Sequence, residues 1–379
     1  MISDCMKLIA CCALVLMIAS CSSVNLPKPR AYSADITELL SGRAILGREV
    51  TDTELPNIDL FAITPEMEAF AKSAVRRGDD YFEKVKALHV ALLTSAESGG
   101  YGMVYSAYIT EPPITTFQQR HANCLSFTLL YVALARSVGL NAKVNEVEIP
   151  PTWDMRNRKD MVFLRHVNVK VPLLGEITNI LRRDDVVIDL EMHRYRANYR
   201  QHEISDTLAT AQFYSNRAME YLDAGNFTDA FLSLRKSISL NNQQSYVWSN
   251  LGVLYGRKKL LRESELAYLH ALELNPEDLT VMNNLSSHYR QAGNKAQALK
   301  FARLAQRYRE SNPFYKYNLA LSAFEQKEYQ QALQLVLQAV DREKNDVRFY
   351  ELAATLYEKL EQPAKVLQMQ KKIKKIKGE

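Results

Sequence analysis

Three residues of this sequence have the types that a thiol nucleophile needs: Cys124, His166 and Asp189. Cys124 follows Asn123, a good helix cap. It precedes an apolar run in which Leu125, Leu129, Tyr131, Val132, Leu134 and Ala135 line a helix over residues 124–138 that Gly139 closes. The thiol is thus expected in a first helical turn. There the helix dipole and the unpaired N–H groups favour thiolate, and the same N–H groups can hold an oxyanion. His166 and Asp189 fall in alternating stretches. His166, Asn168 and Lys170 face away from Val167, Val169 and Val171; Val187, Asp189 and Glu191 face away from Val186, Ile188 and Leu190. If these strands pair antiparallel and pack on the Cys124 helix, sulfur, imidazole and carboxylate converge. His166 would then accept the thiol proton, and Asp189 would fix its tautomer and stabilise the imidazolium.

Cysteine usage singles out the same thiol. The chain has five cysteines. Cys5, Cys11 and Cys12 lie in an apolar leader and Cys21 ends it, which leaves Cys124 alone in the folded part. A lone thiol there is either a small buried hydrophobe or a candidate nucleophile. No Cys-x-x-Cys or His-Glu-x-x-His spacing and no Gly-rich phosphate loop occurs, so neither a metal nor another cofactor is expected.

The elements that would position these groups alternate over residues 59–205. Residues 65–77 and 81–95 read as helices, and 142–149, 161–171 and 186–192 as strands. Residues 150–160 read as a polar loop and 175–183 as a connection. The Gly99-Gly100-Tyr101-Gly102 cluster reads as a flexible loop near the site.

At this point the chain resembles the transglutaminase-like superfamily. The residues carrying the likeness are Asn123-Cys124, the stretch from Ala135-Arg136 through Gly139-Leu140 to Ala142, His166-Val167-Asn168-Val169, and Val187-Ile188-Asp189. It covers roughly residues 70–203. It departs from the pattern at Asn123, where Gly is common, at Val167 and Asn168, where an aromatic often stands, and at Leu190-Glu191. The resemblance implies an α+β papain-like domain with Cys124, His166 and Asp189 as catalytic residues. By the papain analogy, Gln118, six residues before the thiol, is a candidate oxyanion donor. His121 reads instead as a polar loop residue, and His193 and His202 as surface residues.

Residues 8–18 are almost wholly apolar and follow Lys7. This is a signal-peptide core, too short to span a bilayer, which takes about 20 residues. It ends at Ile18-Ala19-Ser20-Cys21, which resembles the bacterial lipobox. The expectation is a signal peptide over 1–20, lipid on Cys21, and a tether and N-terminal segment over 21–58, extended through residues 22–34. Ser22 resembles the outer-membrane sorting type, so the expected place is the cell envelope, on the outer membrane facing the periplasm, with the inner membrane or cell surface as alternatives.

Residues 211–379 repeat at an interval of 34 residues. Tyr214, Ala218 and Tyr221 align with Trp248, Gly252 and Tyr255. Ala230, Ser264, Ala298, Ala332 and Val366 recur in step, as do Ser237, Ala271, Ala305, Ala339 and Ile373. Small residues let paired helices approach while aromatics fill the space between them. This resembles the tetratricopeptide repeat, about five units forming an all-α solenoid, the last of which, with Pro363, reads as a cap. A net charge of +5 without a basic arm argues against nucleic acid, and Lys371–Lys377 reads as a solvated last helix.

The expected function is a thiol peptidase or amidase acting on a protein or peptide, with the repeat groove recruiting substrate or a protein partner. Transglutaminase-type acyl transfer to an amine and a non-catalytic scaffold lipoprotein are the alternatives.

Overall fold

The computed structural model describes residues 33–106, 109–147, 153–157, 160–163, 166–172, 185–190, 201–311 and 313–377. The expected signal peptide, Cys21, most of the tether, the 175–183 connection and His193 lie outside the described residues. None of the described helices is long and apolar enough to cross a membrane.

Among the described residues two helices, α1 (Ser33–Ser41) and α2 (Arg43–Leu46), come first, so Ser33 and Ala34 begin a helix instead of ending an extended tether. Helix α3 (Pro65–Ala74) starts on the Thr64 cap and stops three residues short of expectation, where Val75 turns extended. Helix α4 (Tyr81–Leu93) starts on Asp80, whose carboxylate accepts from the Glu83 N–H. A short parallel pair, β1 (Val104–Tyr105) and β2 (His121–Ala122), brackets helix α5 (Pro113–Gln119). Helix α6 (Cys124–Ser137) follows directly, with Leu125 to Ala135 all buried.

The remaining strands are β3 (Lys143–Val147), β4 (Trp153–Asn157), β5 (Asp160–Phe163), β6 (His166–Val171), β7 (Val186–Ile188) and β8 (Gln201–Ile204). Four form an antiparallel sheet in the order β7-β6-β3-β8, while among the described residues β4 and β5 pair with each other alone. This corrects two expectations. The run over 161–171 is two strands in different sheets, and the polar loop over 150–160 contains a strand. Hydrophobic alternation could not reveal β4, because Trp153-Asp154-Met155-Arg156-Asn157 is polar at three of five positions and its register with β5 shifts between Asp154 and Asn157.

Val144, Val167, Val169, Val171, Ile188 and Ile204 join α6 in one buried core. Alternation explains why these positions are apolar: residues two apart on a strand share a face. Thr128 on α6 donates to the Val167 carbonyl at 3.4 Å, tying the helix to β6.

Ten helices in five pairs follow among the described residues: α7 (Asp206–Asp223), α8 (Phe227–Leu240), α9 (Ser245–Arg257), α10 (Leu261–Leu274), α11 (Leu279–Gln291), α12 (Lys295–Ser311), α13 (Pro313–Glu325), α14 (Tyr329–Arg342), α15 (Val347–Lys359) and α16 (Pro363–Lys377). Each pair turns through one residue with positive φ, and these recur in step: Gly225, Lys259, Gly293, Lys327 and Glu361. Only two are glycine, so the sequence displays the turn in two units and conceals it in three.

The first helix begins at Asp206, earlier than the repeat period requires. Its Ala209, Phe213 and Tyr214 are buried in the core of the thiol domain. Arg136 on α6 pairs with Asp206 through two hydrogen bonds of 2.7 and 2.9 Å. The chain before the thiol domain takes the other side. Leu39, Val50 and Leu55 are buried with the repeats, and the Tyr255 hydroxyl donates to the Leu39 carbonyl at 2.6 Å.

Candidate active site

The sulfur is placed by the start of α6. Asn123 is extended, and its Oδ1 accepts from the Ser126 N–H at 2.8 Å, so the first turn is capped and begins at Cys124. The thiol is free and partly exposed, whereas the next eleven residues of the helix are buried. Its own N–H and its neighbours' sit at the positive end of the helix dipole, where developing negative charge is stabilised.

The imidazole is placed by the first residue of β6. His166 Nε2 lies 2.5 Å from Asp189 Oδ2, and both residues are buried. The β6–β7 register brings this about: Val169 stands opposite Ile188, so Asn168 and Asp189 come next to each other on the face that His166 shares by alternation. Asn168 Nδ2 donates to the same Asp189 oxygen at 3.3 Å. Asn145 Nδ2 on β3 donates to Asn168 Oδ1 at 2.7 Å and to Gln201 Oε1 at 2.9 Å. A chain of amides across three strands thus braces the carboxylate.

Burial disfavours a charged His166 ring, but the Asp189 hydrogen bond, a side-chain hydrogen bond with Cys124, and the charges of both partners outweigh it. The net effect pushes the imidazole up to about 10. With Nε2 turned to Asp189, Nδ1 is the nitrogen left for the sulfur. The arrangement can hold an imidazolium beside a thiolate, move a proton between sulfur and a leaving group, and keep the ring in one orientation.

Gln118 is exposed in the last turn of α5. His121 is exposed, with Nδ1 2.7 Å from the Gln119 carbonyl oxygen. His202 lies on β8, half exposed, with Nε2 3.1 Å from Glu146 Oε2. Among the described residues no group of three His, Cys, Asp or Glu is arranged to hold a metal.

Sequence reasoning missed His89 on α4. Its ring packs edge-on to Phe127 and Tyr131, close to the backbone of Asp189. Burial lowers its pKa, and the Asp189 carbonyl and charge oppose that. The available signal was its place among Val85, Leu88 and Leu92, the buried face of α4. Asn168 and Asn145 were missed as well; both are buried on the sheet face opposite Val144, Val167 and Val169.

Comparison with known proteins bears on both halves. Residues 68–171 match the family described as the Transglutaminase-like superfamily, a span that includes Cys124 and His166 and ends before Asp189. Residues 211–244 and 245–278 each match the Tetratricopeptide repeat family. The chain therefore carries a transglutaminase-like core followed by tetratricopeptide repeats. The Caenorhabditis elegans "Tetratricopeptide repeat-containing protein trd-1" is 30% identical over 118 residues, 31% of this chain. The chain spans about 15% of the length of that curated relative. Among solved structures, pilF of Pseudomonas aeruginosa is 20% identical, covers 44% of this chain and 76% of its own, and has a TM-score of 0.25. YrrB, described as a TPR protein with an unusual peptide-binding site, is 17% identical, covers 45% and 87%, and has a TM-score of 0.25.

Proposed function

We propose that this chain is an envelope lipoprotein whose Cys124–His166–Asp189 site hydrolyses an amide bond in a protein or peptide. The observation that carries the reading is the 2.5 Å contact of His166 with Asp189, made by a ring that also interacts with the thiol at the start of a capped helix. In this reading Cys124 Sγ attacks the carbonyl carbon as thiolate. The C–N bond breaks as the His166 imidazolium gives its proton to the leaving amine, and a thioester remains on sulfur. Water then attacks the thioester, His166 takes its proton, and the acid and the free thiolate are released. Asp189 keeps Nε2–H pointed away from the sulfur and stabilises the imidazolium. The Cys124 N–H and Gln118 are the candidate oxyanion donors.

Residues 1–20 act as the removed leader, 21–58 as the anchored N-terminal segment, 59–205 as the thiol domain and 211–379 as the array that recruits substrate or a protein partner. Lipid on Cys21 holds the molecule to the outer membrane facing the periplasm. Metabolic labelling with a tagged fatty acid tests the anchor: wild type takes label, and Cys21→Ala does not.

The chemistry is tested by comparing envelope proteins from cells carrying wild type or Cys124→Ala. New fragments that need Cys124 support hydrolysis. New isopeptide cross-links replace it with acyl transfer to an amine. Identical profiles, with no thioester trapped on Cys124, leave a non-catalytic scaffold.

A further inference from the structure

The first repeat helix departs from its own pattern at two positions. Arg217 stands where the next two repeats carry Leu251 and Leu285, and Glu220 stands where the second repeat carries Leu254. All three leucines are fully buried. Charges at these positions would weaken an ordinary repeat core, and here both are turned toward the loop before the thiol helix. Glu220 Oε1 accepts from the Thr110 N–H at 2.8 Å. Arg217 donates to Glu220 Oε2 at 3.0 Å, to the Tyr221 hydroxyl at 3.0 Å and to the Thr110 carbonyl at 3.4 Å, and lies 3.8 Å from Glu111 Oε1.

The loop passes this contact on to the first turn of α6. Glu220 holds the Thr110 backbone, and the Thr110 hydroxyl oxygen accepts from Asn123 Nδ2 at 2.8 Å. Asn123 Oδ1 is thereby left to accept from Ser126 N–H at 2.8 Å. The neighbouring Glu111 N–H donates to Ser126 Oγ at 2.9 Å. Thr110, Asn123 and Ser126 are all buried.

The direction of these bonds follows from donor arithmetic. The Ser126 N–H can only donate, so Asn123 Oδ1 faces it and Nδ2 is left needing an acceptor, which the Thr110 hydroxyl oxygen supplies. With that oxygen gone, or with the Thr110 backbone released from Glu220, Nδ2 is buried without an acceptor and the amide is no longer held over the turn that carries the sulfur.

We propose that Glu220, held by Arg217, is a positioning residue for Cys124: it fixes the Thr110 backbone, whose hydroxyl holds the Asn123 cap, so that the repeat array sets the geometry of the thiol helix through a Glu220–Thr110–Asn123 relay. This rests on Cys124 being the nucleophile. The array then does more than recruit, because its first helix completes the support of the site.

The test measures the rate constant for iodoacetamide alkylation of Cys124 in the full chain, from about pH 5 to about pH 9, after melting curves establish that each variant is folded. Thr110→Val keeps the packing and removes the hydroxyl, Thr110→Ser keeps the hydroxyl and removes the methyl, and Glu220→Ala removes the acceptor of the Thr110 N–H. The relay requires Thr110→Val and Glu220→Ala each to slow alkylation at neutral pH roughly fivefold, the size of one lost helix cap. The double variant should be no slower than either alone, and Thr110→Ser should react like wild type. Wild-type rates in Thr110→Val, or a Thr110→Ser rate below that of Thr110→Val, would overturn the relay and leave a packing contact. Should Glu220→Ala not fold, the Thr110 pair decides alone. His166→Ala separates the two levels. If it alkylates like wild type at neutral pH, the thiol site itself fails; if it is slower while Thr110→Val is not, only the relay fails.

Discussion

His166 and Asp189 are 23 residues apart in sequence and 2.5 Å apart in the fold, on neighbouring antiparallel strands. Burial alone would strip the ring of its proton; the carboxylate and the thiol on its two sides restore it. The pair therefore links charge, proton affinity and stability in ways that can be measured.

The pH dependence of stability has a definite sign. The His166 pKa rises from 6.5 to about 10 on folding. A base whose pKa rises on folding adds stability that is fully present below its unfolded value and is lost as pH rises through its folded value. Asp189→Asn removes the main support of the raised value. The stability gap between wild type and Asp189→Asn is expected to be widest below pH 6.5 and to narrow toward pH 10. Denaturant titrations over that range measure it, and a gap that widens with pH would contradict the assignment.

Truncation after Ser205 is expected to abolish the folded thiol domain. Ala209, Phe213 and Tyr214 belong to its core, and Asp206 pairs with Arg136. Losing several large buried side chains costs about 3–5 kcal/mol for each aromatic, comparable with the whole stability of a small domain. Near-UV circular dichroism of the fragment should lack fixed aromatic signals, and a cooperative melt would refute this.

Gly252→Ala is expected to destabilise the repeats. A methyl there would meet the buried Tyr268 ring at 2.6 Å. The gain in helix propensity, about 1 kcal/mol, is smaller than the overpacking cost of about 1–3 kcal/mol. A lower melting temperature is the readout.

Lys259→Gly is expected to act in the opposite direction. Lys259 holds φ at 61° in the turn where the first and third repeats use Gly225 and Gly293. Removing the Cβ from a left-handed residue relieves about 1 kcal/mol, partly offset by the greater freedom of glycine in the unfolded chain. The melting temperature should rise slightly.

Legibility of the sequence followed the physics of each element. The helix at Cys124 was readable because Asn123, an apolar run and Gly139 mark its start, body and end. The repeat was readable because small and aromatic residues recur together, although its turns at Lys259, Lys327 and Glu361 hide behind residues that do not advertise positive φ. The shared face of His166 and Asp189 could be read from alternation, given antiparallel pairing. Strand β4 could not, since its polar residues mimic a loop. Nor could the bracing of Asp189 by Asn168, the approach of His89 to its backbone, or the reach of Glu220 to Thr110, because each depends on segments that meet only in the folded chain. The oddity of Arg217 and Glu220 at leucine positions was the one trace of that last contact in the sequence.

The most direct measurement of the central claim is the alkylation rate of Cys124 against pH in wild type and His166→Ala. With an imidazolium held beside the sulfur, wild type should react readily below the ordinary thiol range near pH 8.5, while His166→Ala should gain reactivity only as the pH approaches that range. Superimposable profiles for the two proteins would show that the ring does not act on the sulfur, and the thiol chemistry assigned to this fold would have to be abandoned.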